Sequence, residues 1–370
     1  MSSAGDTLRQ KLDLLVAGIT GLRDEGEFHE PNLDGTPGDY VSFDAWEWPQ
    51  GVGLYGLVRL WRHTGDEQLK AVIEGWYDGH IARGLPPLNV NTTAPMLPLS
   101  MLWKDTRDPR WQPVLEQWAD RVVGQAPRTL GRAFQHDVSD RINDHELWDD
   151  TLFMAALFLA SYGEASGRRA LVDEAVRQFL VHAHYLADRE TGLWFHGWTF
   201  DGNHNFARAR WARGNAWVTV CILDLTDLAT IGEADRDFLY GLLGRQIAAL
   251  LELQTASGAW RTLLDDPTSY EEISATAGFG YGLLKAARLG VVGDFGVDTL
   301  RRAGLRALEA VLANIGPDGS VANVSYGTRM GHDLQFYRDI PIRPTGYGQA
   351  LAMLCLVEGL HHVGEPVKAI

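Results

Sequence analysis

Read for apolar positions recurring every three to four residues, the chain divides into helices with little strand signal. The pattern predicts helices over about 6–23, 46–63, 66–83, 93–104, 110–126, 147–163, 168–187, 212–230, 235–254, 273–289, 295–314 and 345–362. These twelve are of two kinds. Those starting near 46, 93, 149, 213, 274 and 345 are apolar nearly all round, as in "VGLYGLVRL", "TLFMAALFL" and "GQALAMLCLV". Their partners carry charge along one side, as in "EQLKAVIEGW". A helix apolar on every face needs neighbours on every face, and an amphipathic helix can cover it. Short polar links such as "HTGDEQ" and "SGRR" favour antiparallel neighbours. Six buried helices ringed by six amphipathic ones predict an all-α fold, a single (α/α)6 barrel over residues 1–370. An open α-solenoid is the alternative, but it asks for regular repeats and short loops at both ends. Here the buried helices are unevenly spaced.

The spare length is placed unevenly too. Connections 24–45, 127–146, 188–211, 255–272 and 315–344 all precede buried helices. Loops longer than about 12–15 residues are usually functional. In a toroid all of these open on one end, so their Trp, His and Gly residues should converge on one rim.

Composition narrows the partners. The chain has 13 Trp, which can stack on flat ligands such as sugar rings or can wedge large helices apart. Net charge is −15 with no basic run, so no nucleic-acid partner is expected. Cys221 and Cys355 lie in apolar stretches without metal-ligand spacing, and no disulfide framework, metal or cofactor is expected. No apolar run approaches the roughly 18 residues that span a bilayer. The polar stretch "MSSAGDTLRQ" lacks a signal-peptide core, so the expectation is a cytoplasmic monomer or homodimer with no membrane partner.

The candidate chemistry centres on "DHELWDDTLFMAALFLASYG", residues 144–163, where four acids and a histidine precede the most apolar helix. Asp149 and Asp150 make a good helix start, since an N-cap carboxylate accepts backbone N–H groups and suits the macrodipole. Two adjacent acids cannot both occupy one cap. A carboxyl left among Trp148, Phe153 and Met154 would be desolvated, which raises its pKa and keeps a proton available. "HGW" and "ARARWARGNAW" bring His196, Trp198, Trp211, Arg213 and Asn215 to the same rim; Arg213 either clamps a carboxylate or ties loop carbonyls together. Asn91 in "LNVNTTAPML", Trp48 in "WEWPQG", and His332, Tyr337 and Tyr347 in the last long loop complete the set. No phosphate loop, nucleotide fingerprint or zinc triad is present.

Four stretches in order, "WEWPQGVGLYGLVRLWRHTGD", "LWDDTLFMAALFLA", "HGW…WARGNAW" and "SATAGFGYGLLKAARLG", resemble the unsaturated rhamnogalacturonyl hydrolases of glycoside hydrolase family 105, sister to the unsaturated glucuronyl hydrolases of family 88. The resemblance runs over roughly residues 46–290. It implies an (α/α)6 barrel that removes a 4,5-unsaturated uronic acid from the non-reducing end of lyase-generated oligosaccharides. It also implies Asp150 as the essential acid, four residues before Met154, with His196, Trp211 and Arg213 at the sugar and its carboxylate. One departure stands out: where the family's best-known members carry a second Asp, this chain has Asn91. Asp149 or Asp144 could take over that role.

The implied chemistry needs one acid. Ordinary glycosidases flank the scissile bond with two carboxyls, about 5–5.5 Å apart for retention or 6.5–9.5 Å for inversion. An unsaturated uronide is instead a vinyl ether, so Asp150 could protonate C4 and then accept a proton from the water adding at C5. Two other readings remain. A conventional inverting glycosidase would need a second acid, such as Asp44, Glu47 or Glu271; a non-catalytic sugar-binding toroid would need none.

Overall fold

The computed structural model describes residues 4–26, 30–291 and 293–363. It contains α1 (Ala4–Thr20), α2 (Trp48–Thr64), α3 (Glu67–Arg83), α4 (Val90–Thr93), α5 (Met96–Thr106), α6 (Gln112–Gln125), α7 (Leu157–Ser166), α8 (Arg169–Leu186), α9 (Ala212–Leu228), α10 (Glu233–Leu253), α11 (Ile273–Leu289), α12 (Val297–Ala313), α13 (Leu334–Arg338) and α14 (Gly346–Leu360). A π-helical turn, Leu152–Ala156, leads into α7. Four short strands form two antiparallel pairs, β1 (Glu146–Trp148) with β2 (Gly197–Thr199), and β3 (Trp260–Arg261) with β4 (Glu271–Glu272).

The inner helices touch in the cyclic order α2, α5, α7, α9, α11, α14 and back to α2. Each carries an outer helix: α3 on α2, α6 on α5, α8 on α7, α10 on α9, α12 on α11 and α1 on α14. This is the (α/α)6 toroid, and the contact of α14 with α2 closes the ring that an open solenoid would leave unpaired. The buried faces follow the sequence pattern; every residue of α9 from Ala212 to Leu225 is buried, whereas α10 buries one stripe. Local signals set the hairpins. Gly65 ends α2 in the left-handed conformation (φ 66°), and Asp66 at once caps α3 through the N–H groups of Gln68 and Leu69.

The structure departs from the predicted helices in two places. The helix expected over 93–104 is split into α4 and α5, because Pro95 and Pro98 withhold backbone donors near the break. The helix expected from 147 starts only at Thr151, since Glu146–Trp148 is drawn into a strand. Among the described residues no helix is long and apolar enough to cross a membrane.

Candidate active site

The N-termini of the inner helices converge on one end of the ring, and two distant motifs meet there through strand register. In the β1–β2 ladder Trp148 lies opposite Gly197, and the next amide, Asp149 N–H, donates to the His196 carbonyl at 3.0 Å. "WDD" is thereby laid against "HGW". The Asp150 carbonyl then accepts from both Phe153 and Met154, each at 3.0 Å, as the backbone enters the wide π turn. Such turns recur at functional sites because they re-aim the residues around them.

Neither aspartate side chain caps this helix, contrary to the expectation that one of the two would. The Asp149 carboxyl is fully buried (0% exposed) and lies against Gly214 of α9, where an added Cβ would sit 2.2 Å from Oδ2. The glycine of "WARGN" is therefore a space for this carboxyl. With both acids ionised, neither Asp149 oxygen has a hydrogen-bond donor. A proton on Asp149 turns its approach to Asp150 into a hydrogen bond. Burial and the adjacent Asp150 charge push Asp149 well above the usual carboxylate range. Burial raises Asp150 as well, but His196 outweighs it and holds Asp150 below that range. Desolvation was expected to raise a carboxyl left among Trp148, Phe153 and Met154; within the pair it is Asp149 that is raised, whereas Asp150 is lowered because only Asp150 faces the imidazole.

His196 is fixed from behind. Its Nε2 stands 3.3 Å from Asp150 Oδ2, and its Nδ1 lies 2.7 Å from the Tyr337 hydroxyl. That hydroxyl accepts the Gly331 N–H at 3.2 Å and has Met330 Sδ at 3.6 Å as its other possible acceptor; thioether sulfur accepts weakly, so the proton goes to Nδ1 and an N–H on Nε2 faces Asp150. Trp211 lies against the imidazole (4.4 Å between ring centres). The ligand atoms of Asp149, Asp150 and His196 lie within 4.8 Å of one another and could also reach a cation; a single shared proton satisfies the carboxyl pair without one.

A cavity of about 640 Å³ opens above Asp150, within the range usual for small-molecule sites. Of the residues predicted from sequence, it is lined by Asp150, Met154, Trp211, Arg213, Asn91, Trp48 and Tyr347. Trp48 stacks on Tyr347 at 4.6 Å. Arg213 spends most of its fork on the protein, donating to the Ser325 carbonyl (2.8 Å), the Ser325 hydroxyl (2.5 Å) and the Tyr326 carbonyl (3.0 Å). The loop-tying alternative thus describes most of its donors.

Other predicted residues stand back from the cavity. Asp149, His196 and Tyr337 form the layer behind Asp150. Asn215 braces the backbone, donating to the Trp194 (2.8 Å) and Trp211 (2.9 Å) carbonyls. Trp198 packs on Tyr185, and His332 is exposed against Phe206. Asp144 is exposed and accepts from Gln135 at 3.3 Å. Of the possible second acids, Asp44 pairs with Arg83, Glu271 accepts from Ser257, and Glu47 is buried behind the wall. The sequence reading missed His136, which lines the cavity, stacks on Trp148 at 4.3 Å and bonds Thr151 Oγ1 at 2.7 Å. Burial lowers its pKa to about 3, so it is neutral. Its position in the long 127–146 loop was the available signal. Tyr40, Asp140, Arg141, Arg329 and Arg343 were likewise missed.

A closed (α/α)6 ring with a deep cavity, an acid pair and a histidine at its floor defines a toroidal glycoside hydrolase. Residues 26–363 match Glycosyl Hydrolase Family 88, and the chain belongs to that family. It is 31% identical to the unsaturated rhamnogalacturonyl hydrolase YesR of Bacillus subtilis, over 85% of this chain and 90% of that protein. A crystal structure from Salmonella enterica, described as a possible member of the GH105 family, is 44% identical, with a TM-score of 0.94 over 98% of this chain and 96% of that one. An unsaturated glucuronyl hydrolase from a Bacillus species shares the fold at 19% identity, with a TM-score of 0.72 over 96% and 97% of the two chains.

Proposed function

We propose that this chain removes a 4,5-unsaturated uronic acid from the non-reducing end of lyase-generated oligosaccharides, in the cytoplasm and as one catalytic unit. The observation that carries the reading is the carboxyl pair: Asp150 lines the cavity, and Asp149 behind it is buried without a donor beside the Asp150 charge, which raises it well above the usual carboxylate range and makes it the proton carrier of the proposed reaction. Asp150 passes that proton to C4, and the π electrons form the new C4–H bond. Positive charge at C5 is shared with the ring oxygen. Water adds at C5 and returns its proton to Asp150, restoring the pair. The hemiketal opens to a C5 ketone, and the resulting C1 hemiacetal expels the remaining saccharide as an alcohol. His196 steadies the Asp150 carboxylate between the two transfers, while Trp48, Trp148 and Trp211 offer faces to the sugar.

Arg213 contributes charge more than a clamp, since its guanidinium lies 4.4 Å over Trp211 with Nε alone unpartnered. A conventional inverting mechanism fits less well. Asp140, another acid on the wall, is tied to Arg329 at 2.5 Å rather than left free as the base that mechanism needs. The test follows the ultraviolet band of the conjugated enoate during incubation with lyase-digested pectin, arabinogalactan or ulvan. Loss of the band that disappears in Asp150→Asn is expected; a wild-type protein that bleaches none of these products, yet cleaves saturated glycosides, overturns the reading.

A further inference from the structure

The polar atoms at the cavity floor point at one another without bonding. Both oxygens of Asp149, Oδ2 of Asp150 and Nε2 of His196 have no hydrogen-bond partner. Asp149 is 0% exposed and His196 2%, so solvent does not satisfy them either. Among the described residues these three are the only group of acids, histidines and cysteines whose ligand atoms gather, all within 4.8 Å of one another.

The manner in which the closest pair fails to bond is informative. His196 Nε2 stands 3.3 Å from Asp150 Oδ2, near enough for an ion pair, yet the ring nitrogen is not aimed at the oxygen. Two ligands of one tetrahedral zinc stand side by side in this way, about 3.3–3.4 Å apart, with lone pairs aimed at the ion and not at each other. To reach that spacing no pair of the three ligand atoms has to close by more than about 1.4 Å (4.8 − 3.4). We propose that Asp149, Asp150 and His196 form a zinc site, and that the ion bound there inhibits the enzyme by taking the place of the shared proton.

The donor set selects the metal. Magnesium and calcium take at least about six ligands, nearly all oxygen, whereas one imidazole with two carboxylates and an open fourth position suits zinc. The open position faces the cavity, because Asp150 lines it while Asp149 and His196 lie behind. The histidine is also set up to change its role. To coordinate, Nε2 gives up its N–H, and the imidazole proton sits on Nδ1 instead. The Tyr337 hydroxyl, 2.7 Å from Nδ1, has two lone pairs: one takes the Gly331 N–H and the other takes Nδ1–H, while its own proton turns to Met330 Sδ at 3.6 Å. Ligating histidines ordinarily donate their second N–H to such an outer partner. The inhibitory consequence rests on the proposed reaction: zinc enters, the shared proton leaves to water, and Asp150 has none to give to C4.

The test uses the full chain, stripped with a chelator and titrated with zinc chloride. Calorimetry should show one tight zinc per chain, and loss of enoate bleaching should follow its occupancy and reverse on adding chelator. Magnesium chloride should do neither. Asp149→Asn and His196→Gln should each abolish the tight binding, with unchanged melting temperatures confirming the fold. Tyr337→Phe, which removes no ligand, should weaken zinc about tenfold or more. Anomalous diffraction from zinc-soaked crystals reads the site without any variant, and should place the ion between the three side chains. An ion found only elsewhere, or tight binding that survives both ligand variants, overturns the inference. Zinc bound at the three residues with bleaching undiminished overturns the inhibitory role. A wild-type protein inert toward every enoate overturns the proposed reaction instead, and the calorimetry and diffraction still decide the zinc site.

Discussion

The tightest contact at the acid pair involves no side chain on one side. Gly214 of α9 faces Asp149, and a Cβ there would lie 2.2 Å from Oδ2 and 2.8 Å from both Cγ and Oδ1. Ordinary contact begins near 3.4 Å, so Gly214→Ala requires a relative shift of 3.4 − 2.2 = 1.2 Å. The Asp149 backbone is held by its bond to His196 and α9 is buried through its first four turns, so the carboxyl must give way towards Asp150. Overpacking of this size costs about 1–3 kcal/mol of stability. A misplacement of about 1 Å among catalytic groups costs on the order of 10²-fold in rate. The matched control is Gly282→Ala on α11, whose Cβ would meet Thr219 Cγ2 at 2.4 Å. It lies nine residues into its helix, roughly 13 Å from the rim at 1.5 Å per residue. Both variants should melt lower by a similar amount, whereas only Gly214→Ala should lose kcat on the enoate. Equal kcat in the two, at matched folded fraction, would refute the role given to the Asp149 carboxyl.

Asp150→Asn should lower kcat by about 10²–10⁴-fold, read by enoate bleaching, with an unchanged melting temperature confirming the fold. The pH profile should lose activity on the alkaline side as Asp149 gives up its proton, well above the usual carboxylate range, and Asp149→Asn should remove that limb together with most of the rate. Tyr337→Phe deletes the 2.7 Å bond to His196 Nδ1, worth about 1 kcal/mol, so a roughly fivefold drop in kcat with KM nearly unchanged is expected from steady-state kinetics. At the far end of the ring Lys285 is buried against Asp224 (2.5 Å) and Asp227 (2.8 Å), and Lys285→Met should cost about 3–5 kcal/mol in denaturant unfolding while leaving kcat intact. Burial raises Asp224 but Lys285 and Arg59 hold it below the usual range, so this contribution is present near neutrality and is lost as pH falls through the lowered value.

The ring was legible because its helices report their own surroundings. "TLFMAALFL" and "NAWVTVCIL" can be apolar all round only if they are walled in on every side, and the toroid follows from six such segments. What periodicity could not show are features made by distant partners. Glu146–Trp148 reads as the start of a helix, since its pairing with Gly197–Thr199 lies 49 residues or more away in sequence (Trp148 to Gly197) and leaves no local mark. The same ladder decides which acid meets His196, so the division of labour between Asp149 and Asp150 was illegible too. Arg213 shows the converse limit. The residue type suits a carboxylate, but the Ser325 and Tyr326 carbonyls that occupy its donors come from a loop more than 100 positions on.

These limits bear on how the site works. Two contacts behind the cavity floor bear on its charge: Asp149 against Gly214, and His196 held by Tyr337. Each joins segments far apart in the chain, so each depends on the ring being closed. A barrel that shared the same wall residues but had a side chain at position 214 would lose the room for its proton-holding carboxyl. In such a barrel His196 would still hold Asp150 as an anion, able to accept a proton from water but with no neighbour to reload it. That barrel would bind the unsaturated sugar and fail at the first proton transfer to C4.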